Sequence, residues 1–272
     1  MKYFEFIKMH GLGNDFVIID RSENKVEIKK KEILKKIGSR NFGIGCDQIL
    51  IIESHDINNA EVTIFNNDGS EARACGNGVR CVAFYLMKKK NINKIKIKTI
   101  SGTLDCWIEN KKCFVNMGEP LFKWTQIPIA KKVDSQIIKI EQFELYCVSI
   151  GNPHGVIFFE DEYDLNKVNI ESIGKKIQSN DIFPESVNVE FATILEDKTI
   201  RMKVWERGAG RTLACGSGAC ATLVAANQQN LSLRKNDIIL DGGKLTINWL
   251  EGGDIIMSGE VNLVFKGNFY CD

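Results

Sequence analysis

Short apolar runs bounded by turn residues recur along this 272-residue chain, one of them alternating strictly with lysines, and a helical period surfaces at only a few places. Tyr3–Met9 and Phe16–Asp20 read as strands, parted by the turn-rich stretch His10–Asp15. Ile33, Leu34 and Ile37 form the apolar face of a short helix. Asn41–Gln48 is a glycine loop that runs into the apolar strand Ile49–Ile52, and Val62–Phe65 is a further strand. The turn Asn66–Ser70 then delivers the chain to Cys75, which precedes a segment of helical composition, Val79–Lys88. Beyond it Ile95, Ile97 and Thr99 alternate with lysines, the pattern of a half-buried strand, and two more strands lie around Trp107 and Phe114.

The plan then repeats. Pro120 and Pro128 punctuate a stretch without periodicity, which marks a domain boundary near Gly118. Phe143, Glu144 and Leu145 with Gly151 and Asn152 echo Phe4, Glu5 and Phe6 with Gly13 and Asn14. Met202, Val204 and Trp205 answer Val62, Ile64 and Phe65 at an offset of 140, and Trp249, Leu250 and Glu251 answer Trp107, Ile108 and Glu109 at an offset of 142. Ala74–Gly78 (ACGNG) recurs as Ala214–Gly218 (ACGSG), again followed by a helical segment, Ala219–Gln229. Matches in one order at nearly constant offset indicate internal duplication. The expected fold is α+β: two homologous domains related by a pseudo-twofold axis, each a mostly antiparallel sheet, curled or closed into a barrel, around a central helix. Residues 1–118 form the first domain, with a C-terminal strand at 262–272 returning to it, and 119–261 the second.

Composition narrows the partners. A chain of this length with 44% hydrophobic residues can bury real cores. Thirty-six basic and thirty-five acidic side chains leave a net charge of +1, so no global field favours nucleic acid or an anionic membrane. The lysine runs Lys29–Lys31 and Lys88–Lys90 read as solvated helix ends. Met1–Gly11 carries Lys2, Glu5 and Lys8 and no signal-peptide core, and no apolar run approaches the roughly 18 residues of a membrane helix. A cytoplasmic protein is expected. Nine cysteines, an odd count without a signal sequence, argue for reduced thiols. With no CxxC, no HExxH and only His10, His55 and His154, scattered, no metal site is expected.

The repeat sorts the cysteines. Cys46, Cys106, Cys113, Cys147 and Cys271 lie in or beside apolar stretches and read as small buried hydrophobes. Cys81 aligns with Ala221, and Cys220 with Arg80, so only Cys75 and Cys215 are shared between the halves. A thiol at a helix start sees unsatisfied N–H groups and the positive end of the dipole, which favour thiolate. Gly76, Gly78, Gly216 and Gly218 leave N–H groups uncovered as a cradle for a carboxylate. Either copy alone reads as an N-cap turn; the duplication favours chemistry. Two thiols facing one carbon, one ionised and one not, suit inversion of a stereocentre, in which a proton leaves one face and another arrives on the opposite face. The enolate beside a carboxylate needs the N–H donors of both helix starts, and the scheme demands neither metal nor pyridoxal phosphate.

The residues resemble the diaminopimelate epimerase family over the whole chain: HGLGNDF at His10–Phe16, GCDQ at Gly45–Gln48, FNNDGSEARACGNGVRC at Phe65–Cys81, GNPH at Gly151–His154, VNVEF at Val187–Phe191 and WERGAGRTLACGSG at Trp205–Gly218. The resemblance implies cofactor-independent interconversion of LL- and meso-2,6-diaminoheptanedioate, in lysine and peptidoglycan-precursor synthesis. It places Cys75 and Cys215 on the two acid/base cysteines, and Gly76, Asn77, Gly216 and Ser217 on the positions holding the reacting carboxylate. Asn14, Asn66, Asn152, Asn188, Glu206 and Arg207 fall on substrate-binding positions, and Gln48 and His154 on positions lining the site. A small-molecule substrate and a second copy of the chain, as a homodimer, are the expected partners. The distal amino-acid end of such a substrate presents a carboxylate to Arg207 and an ammonium to Glu206 and the asparagines. Two positions depart from the family's commoner residues: Arg211, whose charge either favours the Cys215 thiolate or, the preferred reading, points to solvent, and Cys46 in the GxDQ loop, a near-isosteric change for alanine.

Other readings stand beside this one. Without the resemblance, Asn14, Asn66 and Asn152 are turn residues, and Glu206 with Arg207 is a surface ion pair. A two-thiol racemase of proline or hydroxyproline shares the cysteines but leaves Glu206 and Arg207 unexplained. A redox switch lacks a close resolving cysteine. A purely structural repeat does not explain why cysteine and glycines recur together while other positions drift.

Overall fold

The computed structural model describes residues 3–24, 28, 30–72, 75–133 and 136–270. The chain divides into two compact units, the first running to Val115 and taking in the C-terminal segment from Gly259, the second spanning Asn116–Ser258.

The first unit contains β1 (Tyr3–Gly11), β2 (Asn14–Asp20), α1 (Lys31–Gly38), β3 (Gln48–His55), β4 (Asn59–Asn66), β5 (Glu71–Ala72), α2 (Gly76–Lys90), β6 (Lys94–Thr99), β7 (Gly102–Glu109) and β8 (Lys112–Asn116). The second contains β9 (Ile137–Ile140), β10 (Phe143–Ser149), β11 (Pro153–Phe158), α3 (Glu162–Lys167), α4 (Ile170–Gln178), β12 (Asn188–Ile194), β13 (Ile200–Glu206), β14 (Gly210–Arg211), α5 (Gly216–Gln228), β15 (Lys235–Leu240), β16 (Gly243–Trp249) and β17 (Ile255–Gly259). The last strand, β18 (Asn262–Tyr270), pairs antiparallel with β1 and so belongs to the first unit.

Strand order in the first unit is β18–β1–β2–β3–β4–β6–β7–β8, parallel at β2–β3 and β4–β6 and antiparallel elsewhere. In the second it is β9–β10–β11–β12–β13–β15–β16–β17, parallel at β11–β12 and β13–β15. The topologies are identical, with β18 doing for the first what β9 does for the second. Each parallel pair needs a crossover, and helices supply it: α1 and α2 in the first unit, α3 with α4 and then α5 in the second. A mostly antiparallel sheet with an enclosed helix is thus the architecture of each half.

Burial explains why these stretches adopt these elements. Phe16–Ile19 and Ile49–Ile52 are apolar without interruption because their sheet is covered on both faces. Val17, Ile19, Ile49 and Ile51 pack with Phe4, Phe6, Leu34 and Ile37 in the core beneath α1. On the α2 side, the methyl carbons of Leu50 lie 3.1 Å from the place a Cβ of Gly78 would take. β6 alternates buried Ile95, Ile97 and Thr99 with exposed lysines. α2 is buried from Asn77 through Ala83, all round its circumference, as a helix enclosed by its own sheet must be. α5 is alike, with Ala219 through Ala226 buried. The glycine loop has a steric reason: a Cβ on Gly43 would sit 1.6 Å from the Lys36 carbonyl oxygen.

Two expectations change here. The lysines ending α2 are not all simply solvated, since Lys89 bonds Asp20, buried at 3% exposure, at 3.0 Å and Glu23 at 2.5 Å. Helices α3 and α4 escape the period-two reading altogether, although Leu165, Ile170 and Ile177 anchor them in the second core. Cys46, Cys81, Cys106, Cys113, Cys147 and Cys220 are free, buried thiols; Cys271 and Ala74 lie outside the described residues. No helix among the described residues is long and apolar enough to cross a membrane.

Candidate active site

Cys75 is the N-cap of α2, with extended backbone (φ −154°, ψ 99°), and its sulfur accepts from the Gly78 N–H at 3.3 Å. A sulfur in that position takes one of the four N–H groups a helix start leaves unpaired, an interaction that favours the anionic form. Asn14, the first residue of β2, sets its Oδ1 3.9 Å from Cys75 Sγ and 3.4 Å from Asn77 Nδ2, while its own Nδ2 donates to Asp47 at 2.8 Å. Asn77 is buried and its Oδ1 accepts from Arg80 at 2.7 Å; Arg80 is itself fully buried and also reaches the Glu260 carbonyl. Gln48 opens β3 and Asn66 closes β4, and their amides bond each other at 3.1 Å across the register pair they form. In the first half Asn14 and Asn77 therefore meet beside Cys75, with Gly76 opening α2 next to it, while Gln48 and Asn66 bond each other where β3 begins and β4 ends.

Cys215 is the N-cap of α5 (φ −124°, ψ 114°), 3.6 Å from the Ser217 hydroxyl and only 5% exposed. Asn152 Oδ1 lies 3.0 Å from His154 Nε2, and His154 Nδ1 lies 2.7 Å from Glu190 Oε1, both members of that pair being completely buried. Asn188 is tied on both sides of its amide: Nδ2 donates to the Pro153 carbonyl at 2.9 Å, and Oδ1 accepts from the Arg207 N–H at 2.9 Å. Arg207 is exposed and its guanidinium donates to the Glu185 carbonyl at 2.8 Å. The Thr212 hydroxyl donates to Glu206, whose carboxyl burial pushes above the usual range. Glu206 and Arg207 thus engage separate partners rather than forming the surface ion pair that composition alone would allow.

The helix-start argument for thiolate meets its limit at Cys215. Burial pushes this thiol well above its ordinary value, and the carboxylates of Glu206 and Glu190 push further the same way. The Gly218 N–H and the Ser217 hydroxyl pull it down and do not win. Arg211, four residues earlier, pairs with Asp241 at 3.0 Å and is largely exposed, as its reading toward solvent requires. Cys46 is fully buried and burial pushes its thiol up to about 12, the behaviour of a core residue.

Registers make the two halves comparable position by position. Phe16 stands opposite Gln48 in the first unit as His154 stands opposite Asn188 in the second, and two residues further along each ladder Ile18 pairs with Leu50 and Val156 with Glu190. Asn14 answers Asn152, Gln48 answers Asn188, Asn66 answers Glu206, and Leu50 answers Glu190. Glu190 was not singled out from the sequence. The available signal was an acid in the apolar strand VNVEF at the offset where the other copy has leucine. A cavity of about 670 Å³ on β6 and β7, lined by residues including Asn93, Asp105 and Trp107, contains none of the residues gathered around Cys75 or Cys215.

Comparison with known proteins gives these positions a family. The family model described as diaminopimelate epimerase matches residues 6–123 and 146–264. The chain is 42% identical over 267 residues to a diaminopimelate epimerase of Acidiphilium cryptum, covering 96% of this chain and 95% of that one. It is 43% identical over 264 residues to that of Pelagibacter ubique, covering 94% of each. Among solved structures it superposes on a phenazine biosynthesis protein of the PhzF family from Enterococcus faecalis, with a TM-score of 0.71 at 14% identity over 99% of this chain and all of that one. A hydroxyproline epimerase from Agrobacterium vitis gives a TM-score of 0.70 at 12% identity over 98% of this chain and 91% of that one. At such identities the superpositions establish the shared fold alone, whereas the full-length matches at about 40% and the family model establish that this chain belongs to the diaminopimelate epimerase family.

Proposed function

We propose that this chain interconverts the LL and meso forms of 2,6-diaminoheptanedioate without a cofactor, with Cys75 and Cys215 as the acid/base pair at one α-carbon. The reading is carried by the duplicated thiol that caps a glycine-rich helix start in each unit. A thiolate takes the α-proton from one face, the C–H electrons pass into the carboxylate as an enolate, and the opposing thiol delivers its proton to the other face. Thiol and thiolate exchange roles, so each turnover in one direction leaves the enzyme set for the reverse. Backbone N–H groups at Gly76 and Gly216, with the Asn77 and Ser217 side chains, hold the carboxylate on which charge develops. The distal end binds through Arg207 to its carboxylate and through Glu206, Asn14, Asn66, Asn152 and Asn188 to its ammonium, with Gln48 and His154 completing the lining. A substrate of the wrong distal configuration leaves such fixed polar groups unpaired. A proline-type substrate has no distal amino-acid end for Glu206 and Arg207 to hold.

The product serves lysine and peptidoglycan-precursor synthesis in this reading, in the cytoplasm, a compartment supported by eight free thiols among the described residues. A homodimer is the proposed assembly. Among the described residues β18 is the edge of its sheet, and it exposes Leu263, Val264, Phe265 and Tyr270 beside exposed Tyr3 of β1, a surface that an isolated chain leaves wet.

Incubation with LL-diaminopimelate in deuterated water, without added cofactor or metal, tests the activity. Meso product carrying deuterium at the inverted α-carbon is expected; neither inversion nor exchange by demonstrably folded protein would sink the proposal.

A further inference from the structure

The two helix starts have the same backbone and opposite buried charge. In the first unit the strand positions under α2 are Phe16 and Leu50, both apolar and fully buried, and the buried charge is the Arg80 guanidinium on the helix itself. In the second unit the same strand positions carry His154 and Glu190, and Arg80 is replaced by Cys220. The carboxylate comes close to the thiol's own turn. The point where a Cβ of Gly218 would lie is 2.7 Å from Glu190 Oε1 and 3.3 Å from Cys215 Sγ; in the first unit the equivalent point at Gly78 meets Leu50 methyls at 3.1 Å and Cys75 Sγ at 3.4 Å. Glu190 Oε2 is buried without a hydrogen-bond partner among the described residues, an arrangement that folding alone disfavours. Its other oxygen fixes the His154 ring, because a carboxylate only accepts and Nδ1 must therefore donate, which turns Nε2 toward Asn152.

We propose that Glu190 is a positioning residue of the Cys215 half: through its contact with His154 and its place beneath the first turn of α5, it keeps Cys215 protonated. In the substrate-free enzyme Cys215 is then the acid and Cys75 the base. The inference rests on the two-thiol reading above and assigns the direction that reading leaves open. The groups facing Cys215 are Glu190 from β12, Glu206 from β13, and Ser217 with the Gly218 N–H from α5, while His154 of β11 stands behind Glu190. Two negative groups and burial act together there against one N–H and one hydroxyl.

Brief pulses of iodoacetamide over a pH series, followed by peptide mass spectrometry, read the ionisation of each thiol separately. Accessibility scales the labelling rate without moving its pH midpoint, so the unequal exposure of the two sulfurs does not enter. In the unmodified protein the Cys75 midpoint should lie below that of Cys215. Glu190→Gln, and Glu190→Leu, which installs the first unit's own residue, should move the Cys215 midpoint to lower pH and leave that of Cys75 in place, whereas Glu190→Asp should stay near the unmodified protein. A Cys215 midpoint at or below that of Cys75 in the unmodified protein overturns the proposal. So does an unchanged midpoint in Glu190→Gln with its thermal transition retained. Labelling uses no substrate, so lack of epimerisation would overturn the functional reading while leaving this result to stand or fall by itself.

Discussion

At the scale of single residues, nearly identical local sequence yields unlike chemistry. ACGNG and ACGSG both cap a helix with a cysteine, yet Cys215 lies among Glu190, Glu206 and Ser217 while Cys75 lies near Asn14 and Asn77. On the proposed two-thiol mechanism, replacing Cys75 or Cys215 by alanine removes one acid/base group, so epimerisation should fall by roughly 10²- to 10⁴-fold or more, measured as kcat with circular dichroism unchanged. Alanine at Cys81 or Cys220, both buried off the chemistry, should retain turnover. The glycines differ as their neighbours do. Gly218→Ala presses a methyl against the anchored Glu190 carboxylate and should destabilise by about 1–3 kcal/mol in urea unfolding, beyond what helix propensity returns. Gly78→Ala meets the ends of a leucine side chain at 3.1 Å and the Cys75 sulfur only at an ordinary contact distance of 3.4 Å, and should lose less. Equal losses would show that the carboxylate is free to move aside.

Elements repeat more faithfully than residues. Both units run the same strand order with parallel pairs at the same two places, because a helix must cross over twice in each. Short apolar runs, alternating strictly only in β6, made β1, β2, β3, β4 and β6 legible, and helical composition after each cysteine located α2 and α5. Helices α3 and α4 were not legible: they stand where the first unit has only α1, so the repeat gave no template for them. Their fit is tight. A Cβ on Gly174 of α4 would approach the Trp205 ring to 2.4 Å, and that ring is held by its Nε1–H bond to Gln178 at 3.0 Å. Gly174→Ala should therefore lower the melting temperature, with a loss of about 1–3 kcal/mol; a rise would mean that the indole has room to shift.

For the molecule as a whole, acid stability and assembly can be read from particular groups. Burial alone would raise the Asp15 carboxyl, but hydrogen bonds and charge from Arg40 and Lys8 outweigh it and hold it down at about 2. A folded value below the unfolded one, near 3.9, stabilises above about pH 4, and that contribution drains away as pH falls toward about 2. Urea unfolding at successive pH values should show this decline, and Asp15→Asn should flatten it while lowering stability at neutral pH. If β18 carries the dimer, Val264→Lys should shift the mass in sedimentation equilibrium to that of a monomer; a dimer of unchanged affinity would place the contact elsewhere.

Sequence by itself determined the duplication, the fold class and the family, because apolar periodicity, glycine placement and motif order are written in residue types along the chain. It also separated Cys75 and Cys215 from the other cysteines by a shared offset. Tertiary structure alone decided what surrounds each thiol. Glu190 lies 25 residues from Cys215 along the chain and reads as one acid in an apolar strand; the parallel register of β11 and β12 brings it to His154 and under the start of α5. Charge acts through space and burial, so the property that distinguishes two matching cysteines exists only once the strands have paired.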